Sequence, residues 1–302
     1  MRKPLLTILL LILIGSLPRA FAAQPPLRIA YVDWSSSVAS ANLICVLVQE
    51  RLQQPCELRE FSAEGMWRAV ATGQADVLLS AWLPSTHAHF LERYGDRLMD
   101  LGPNLEGTRT GLVVPSVKVG RQTSSRGMRN PAYVAAESIG DLVGLGERFH
   151  YRIIGIDPEA GIMRTTRRAM QVYGLDNYRL VEGSERNMTK ALSEAIGRQQ
   201  PILLTGWVPH WMFDRWSLRF LDDPEGVYGG SGRIHTLVRP GLEAEMPKVY
   251  ALLDRFHWDV AQMNRLLIWN QQDKGLDPYG TARRWIQTHP DQVSVWFDRE
   301  TD

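Results

Sequence analysis

From Leu27 onward, short apolar runs of strand length alternate with segments of helical period, and that alternation leaves few folds open to the chain. Leu27–Val32 reads as a first strand and Asn42–Leu52 as the helix after it, with Leu43, Ile44, Leu47, Val48 and Leu52 on one face. Glu57–Phe61 predicts a second strand, Met66–Thr72 a second helix stopped by Gly73, and Val77–Trp82 a short buried strand. Strands that alternate with helices build a mainly parallel sheet. Gly111–Pro115 leaves this unit as a strand, and a polar stretch without periodicity, Gly120–Pro131, reads as a surface excursion. The same rhythm restarts at Tyr151–Gly155, with a helix near Gly161 and strands at Tyr178–Val181 and Pro201–Thr205. His235–Val238 returns from this second unit, and Met246 to Phe297 reads as mostly helical. The expected organisation is α/β: a first lobe over 27–115, a second over 116–235, and a return segment with C-terminal helices, 236–302, packed on the first. Two crossing strands join the lobes.

The residues before Leu27 stand outside this plan. Arg2 and Lys3 precede the apolar run Leu5–Leu17, and Ala20-Phe21-Ala22 has the small-x-small pattern of a cleavage site, so residues 1–22 read as a signal peptide. That run is shorter than the about 20 residues that span a bilayer, and no later stretch is long and apolar enough to do so. No cysteine follows it closely, so a lipid anchor is not expected and the chain is placed in the periplasm. About 280 residues remain, enough for two compact units at roughly 150 residues each. With 44% apolar and 22% charged residues the chain can bury a core, which excludes disorder. Its 34 basic and 33 acidic residues nearly cancel, which argues against a broad basic face for nucleic acid. A monomer is expected. Cys45 and Cys56 are the two cysteines. About eight helical residues at roughly 1.5 Å each would separate them by about 12 Å, beyond the roughly 4.4–6.8 Å of a disulfide, unless the helix ends early. Two small packing residues are the expectation.

Two lobes, an export signal and no catalytic signature suggest a binding protein, and ligands of open parallel sheets sit beyond the carboxyl ends of strands. Three such ends carry a tryptophan: Val32-Asp33-Trp34, Ser80-Ala81-Trp82 and Thr205-Gly206-Trp207. Any one of the ten tryptophans is better read as core, but three at equivalent ends suit a specific chemistry. A quaternary ammonium has no N–H to donate, so side-chain oxygens cannot hydrogen-bond it. Indole faces still attract its charge, by up to about 2 kcal/mol each when desolvated. Three would give roughly 6 kcal/mol, against about 8 kcal/mol for micromolar binding. The rest could come from an anion site. In Gly155–Met163 a strand turns into a helix start, where the N–H groups of Gly161 and Ile162 can hold a carboxylate. Many helices begin this way, so the signal is weak alone. His87, five residues after Trp82, could add a hydrogen bond, or could equally be a surface or capping histidine.

Enzyme readings find little support. His87-Ala88-His89 is too short a run to fix a metal, Gly144-Leu145-Gly146 lacks the third glycine of a dinucleotide site, and no G-x-S-x-G turn occurs. Asp222, Asp223 and Glu225 read as a solvated turn around Pro224. No cofactor and no metal are expected.

The segments Met66–Gly73, Ser80–His87, Gly155–Met163, Val181–Glu185, Thr205–Phe213 and Ile234–Thr236 together resemble the glycine betaine substrate-binding proteins of ABC transporters, the OpuAC-type family, from about Leu27 to about Phe256. The resemblance implies a two-lobe periplasmic-binding-protein fold of type II that closes over its ligand, a permease and its ATPase as partners, and no covalent chemistry. It implies that Trp34, Trp82 and Trp207 box the trimethylammonium group, and that the Gly161 and Ile162 N–H groups and His87 meet the carboxylate. It assigns His210-Trp211 no ligand role, which leaves packing.

Two departures stand out. Ser35–Ser37 follow Trp34 where relatives often carry an acidic residue, so the support of that indole differs. Glu159 stands beside the anion site, where a charge at about 4 Å would repel a carboxylate by some 1 to 4 kcal/mol. A solvent-facing side chain that favours the helix N-terminus, by roughly 0.3–1 kcal/mol, is the preferred reading. The rival functions are a choline or carnitine receptor, an enzyme acting on quaternary amines with only His87 as base, and a sensory domain. The cage model predicts that Trp207→Ala weakens betaine binding by more than about 1 kcal/mol with the fold intact; an unchanged calorimetric affinity would sink it.

Overall fold

The computed structural model describes residues 24–116, 133–272 and 274–297. The signal segment, residues 1–22, and the polar excursion at Gly120–Pro131 lie outside the described residues. Among those described, no helix is long and apolar enough to cross a membrane.

The first half runs β1 (Leu27–Tyr31), α1 (Ser35–Leu52), β2 (Cys56–Glu60), α2 (Ala63–Ala71), β3 (Val77–Leu83), α3 (Ala88–Tyr94) and the long β4 (Met99–Pro115). The second runs β5 (Arg152–Ile154), α4 (Gly161–Val172), β6 (Arg179–Val181), α5 (Glu185–Gly197), β7 (Leu204–Val208), α6 (Met212–Arg215) and β8 (Leu218–Phe220). β9 (Gly232–Val238) returns, and α7 (Leu242–Glu245), α8 (Pro247–Arg255), α9 (Val260–Gln272), α10 (Pro278–Thr288) and α11 (Pro290–Val295) close the chain. The strand order is β2-β1-β3-β9-β4-β7-β5-β6, with β8 on β4. Each lobe has a parallel core, β2-β1-β3 in one and β7-β5-β6 in the other. The antiparallel pair β4 and β9 runs between them, pairing with β7 and β3 respectively. Buried Asn104 on β4 donates to the Leu79 carbonyl at 3.1 Å and to Thr236 Oγ1 at 2.9 Å, which ties β3, β4 and β9 together.

All seven residues of β3 are buried, as a strand covered on both faces must be, which is why it reads as a continuous apolar run. α9 and α10 pack on α1, with Tyr279 Oη donating to Gln49 at 2.7 Å and Arg283 meeting Glu50 at 2.7 Å. Trp285 and Trp296 stack at 6.0 Å in the core of this C-terminal layer.

The structure differs from the sequence reading in several places. α1 begins at Ser35, not Asn42, because its serine-rich first turns are buried rather than looped. β7 sits three residues later than expected, and Ile202 and Leu203 are buried in front of it. Cys45 and Cys56 are joined in a disulfide, with 5.6 Å between Cα atoms. The helix does run on to Leu52, but Gln53 adopts the left-handed conformation (φ 54°). The chain therefore doubles back along the helix, and β2 starts beside Cys45 instead of 12 Å beyond it.

Asp76, 1% exposed, is the common acceptor of two guanidinium groups, Arg28 at 2.6 Å and Arg239 at 2.7 Å. It also takes the backbone N–H of Arg28 at 2.7 Å. Burial alone would raise its carboxyl, but these bonds outweigh burial and hold it below the ordinary aspartate range. The cluster locks β1 to the end of β9. Asp76→Ala removes the buried acceptor that Arg28 and Arg239 share, although Arg239 keeps Glu245 and Arg28 the Gly73 carbonyl, and is expected to cost about 2–3 kcal/mol in urea unfolding; a change within error would show the cluster to be dispensable.

Candidate functional site

Trp34 occupies the turn from β1 into α1, its N–H bonded to the Val32 carbonyl at 2.6 Å and its own carbonyl accepting from Val38 at 2.9 Å. Trp82 is the penultimate residue of β3, and the turn after it is pinned at both ends. The His87 N–H donates to the Trp82 carbonyl at 2.8 Å, and the Trp82 N–H donates to His87 Nδ1 at 3.1 Å. Trp207 is penultimate in β7, opposite Thr110 of β4. Both tryptophans stand two residues before a cis proline, Pro84 and Pro209. Gly161 and Ile162 open α4, where first-turn N–H groups have no intrahelical acceptor.

These separate segments meet around one small cavity. Its walls are Trp34, Trp82, His87, Gly161, Ile162 and Trp207, all six of the residues singled out above, together with Thr86, Thr110, Ile156 and Ala160. None of them carries a formal charge. Sequence reasoning missed Thr86 and Thr110: Thr110 lies within a strand and reaches the site only through its register with Trp207, which no spacing announces.

His87 is 1% exposed. Burial, with a smaller contribution from His89, lowers its pKa to about 3, so the ring is neutral. Since Nδ1 accepts a hydrogen bond, the proton sits on Nε2, and His87 is a neutral donor on the cavity wall. Glu159 is exposed and outside the lining, which agrees with the solvent-facing reading. Gly161 is required for a different reason from the one that drew attention to it. A Cβ there would lie 2.1 Å from the carbonyl oxygen of Thr86, across the cleft.

The support of Trp34 comes from the opposite lobe. Its Nε1 donates to Asp157 Oδ2 at 2.9 Å, and the next N–H, of Ser35, donates to Glu185 Oε2 at 2.9 Å. Burial pushes the Asp157 carboxyl above its ordinary value against the pull of the Trp34 bond. Glu185 would also be raised by burial, but His210 and the Ser35 bond outweigh it and hold it below the ordinary glutamate range. His210 is fully buried, with Nε2 3.1 Å from Glu185 Oε1, and its ring meets Trp207 edge-on at 4.8 Å. Packing therefore describes only part of its place: it backs one indole and holds the carboxylate that reaches to the neighbour of another.

Two lobes joined by a crossed strand pair, with an uncharged, tryptophan-lined cavity in the cleft, define a substrate-binding protein. The family model for the substrate-binding domain of the ABC-type glycine betaine transport system matches residues 25–288. The chain belongs to this OpuAC family, whose members serve transport and are not enzymes. It is 36% identical to lactococcal OpuAC, solved closed with glycine betaine, over 90% of this chain and 99% of that one, with a TM-score of 0.80. It is 33% identical to the glycine betaine/L-proline-binding protein ProX of Borrelia burgdorferi, over 91% and 98%, with a TM-score of 0.82. The glycine betaine/carnitine transport binding protein GbuC of Listeria monocytogenes serotype 1/2a (strain 10403S) is 44% identical over 156 residues, 51% of each chain. The chain thus matches about half the length of that curated relative.

The state of His87 sets a pH dependence. The unfolded chain binds a proton near pH 6.5 and the native one only near pH 3. Stability from this group is therefore complete above pH 6.5 and falls on acidification, by up to about 1.4 kcal/mol per pH unit. His87→Gln is expected to lose that component, so its unfolding midpoint should fall less steeply than wild type from pH 7 to 4; parallel slopes would place the imidazole in water.

Proposed function

We propose that the protein captures glycine betaine, or a close methylated relative such as proline betaine, in the cleft and delivers this osmoprotectant to an ABC permease driven by its ATPase. It acts as a monomer in the periplasm after removal of residues 1–22. In this reading the lobes are 27–115 and 116–235, with 236–302 returning to the first, and binding stabilises the closed arrangement. Trp34, Trp82 and Trp207 surround the trimethylammonium group. The N–H groups of Gly161 and Ile162 and the Nε2–H of His87 meet the carboxylate.

One observation carries the reading: three indoles, two helix-opening amides and a neutral histidine donor, drawn from distant parts of the chain, line the same cavity. Indole faces answer a cation that cannot donate a hydrogen bond, and the three donors answer an anion. A zwitterion that carries both groups uses the whole wall.

Calorimetric titration of refolded, ligand-free protein with glycine betaine and then choline tests this. Micromolar betaine binding with choline much weaker is expected, and His87→Ala should weaken betaine while sparing choline. Choline binding tighter than betaine would keep the cage and refute the carboxylate site.

A further inference from the structure

Trp34 and Ser35 are consecutive residues of the first lobe, and each is held by a carboxylate of the second: Asp157 on the indole Nε1 and Glu185 on the backbone N–H, both at 2.9 Å. Neither carboxylate lines the cavity. α1 has no side-chain cap of its own, since its N-cap residue is Trp34. The N–H at its start is instead satisfied by Glu185, 150 positions away, and Glu185 is itself buried against His210. We propose that Asp157 and Glu185 form an interlobe clasp on Trp34–Ser35, in which Asp157 is the positioning residue that fixes the Trp34 wall of the cage and sets how long the ligand is held. This rests on the binding reading above.

The physical case has three parts. Opening the cleft breaks two charge-assisted bonds together, so each adds to the barrier against release. The bond to Nε1 fixes the rotation of the indole, whose face attracts a cation only from a defined direction. An anion on the indole N–H also pushes electron density toward the ring face and favours a cation beyond it. The polar support that Ser35–Ser37 do not offer from the first lobe is thus supplied by the second. A side chain that orients Trp34 only when the lobes meet makes a complete cage conditional on closure.

Stopped-flow tryptophan fluorescence with glycine betaine, and with choline as a second probe, separates the possibilities. Asp157→Ala is expected to release ligand about tenfold faster or more, with an association rate close to wild type. Asp157→Asn keeps an oxygen acceptor for the indole and should restore most of the slow release, which a general loss of folding would not allow. Glu185→Ala, which removes the acceptor of the Ser35 N–H, should also speed release. Wild-type release rates in either Asp157→Ala or Glu185→Ala, in a protein that binds, would overturn the clasp alone. Failure of the wild-type protein to bind either probe would overturn the binding reading and the clasp with it.

Discussion

β4 runs for seventeen residues, and it pairs with β9 from Met99 to Thr108 and with β7 from Arg109 to Val113. One strand therefore belongs to both lobes, and the position of the cleft follows from where its partner changes. Thr110, just past that change, faces Trp207 across the ladder and lines the cavity. The β4–β9 register shifts three times before the change, between Asp100 and Pro103, Pro103 and Leu105, and Glu106 and Thr108. Irregular ladders bend and twist more readily than regular ones. The crossing is thus a pair of strands with breaks in their register, steadied by the buried Asn104 and Thr236 contact.

The cavity and its surroundings divide the electrostatic work. Its lining has aromatic faces, amides, hydroxyls and a neutral imidazole, all without net charge. The acidic side chains Asp157 and Glu185 stand one layer out. Fixed dipoles and ring quadrupoles need no counter-ion and exchange little with salt, so a zwitterion can enter without an uncompensated charge being left in the empty cleft.

The parts of this arrangement that could be read in the sequence are those whose chemistry is local. Trp34, Trp82 and Trp207 announce themselves because each stands at or just past the end of a strand, and His87 because it closes a short turn after one of them. What escaped reading depends on distant partners. The first turns of α1 look like a loop of serines, and they are helical partly because Glu185 satisfies their leading N–H. The disulfide looks impossible by helix length, and one left-handed residue, Gln53, reverses the chain and makes it short. His210 has no informative spacing, since its partner Glu185 precedes it on another element. Asp157 reads as an ordinary turn residue, and its bond to Trp34 exists only because two lobes meet.

Gly161 gives that meeting a hard geometric limit. The Thr86 carbonyl lies where its Cβ would be, 2.1 Å away, and that atom is backbone that cannot swing aside. A single methyl group at 161 would act as a doorstop, wedging the jaws ajar while leaving each lobe's own core untouched. The position thus offers a handle on the protein's resting posture as well as on its ligand.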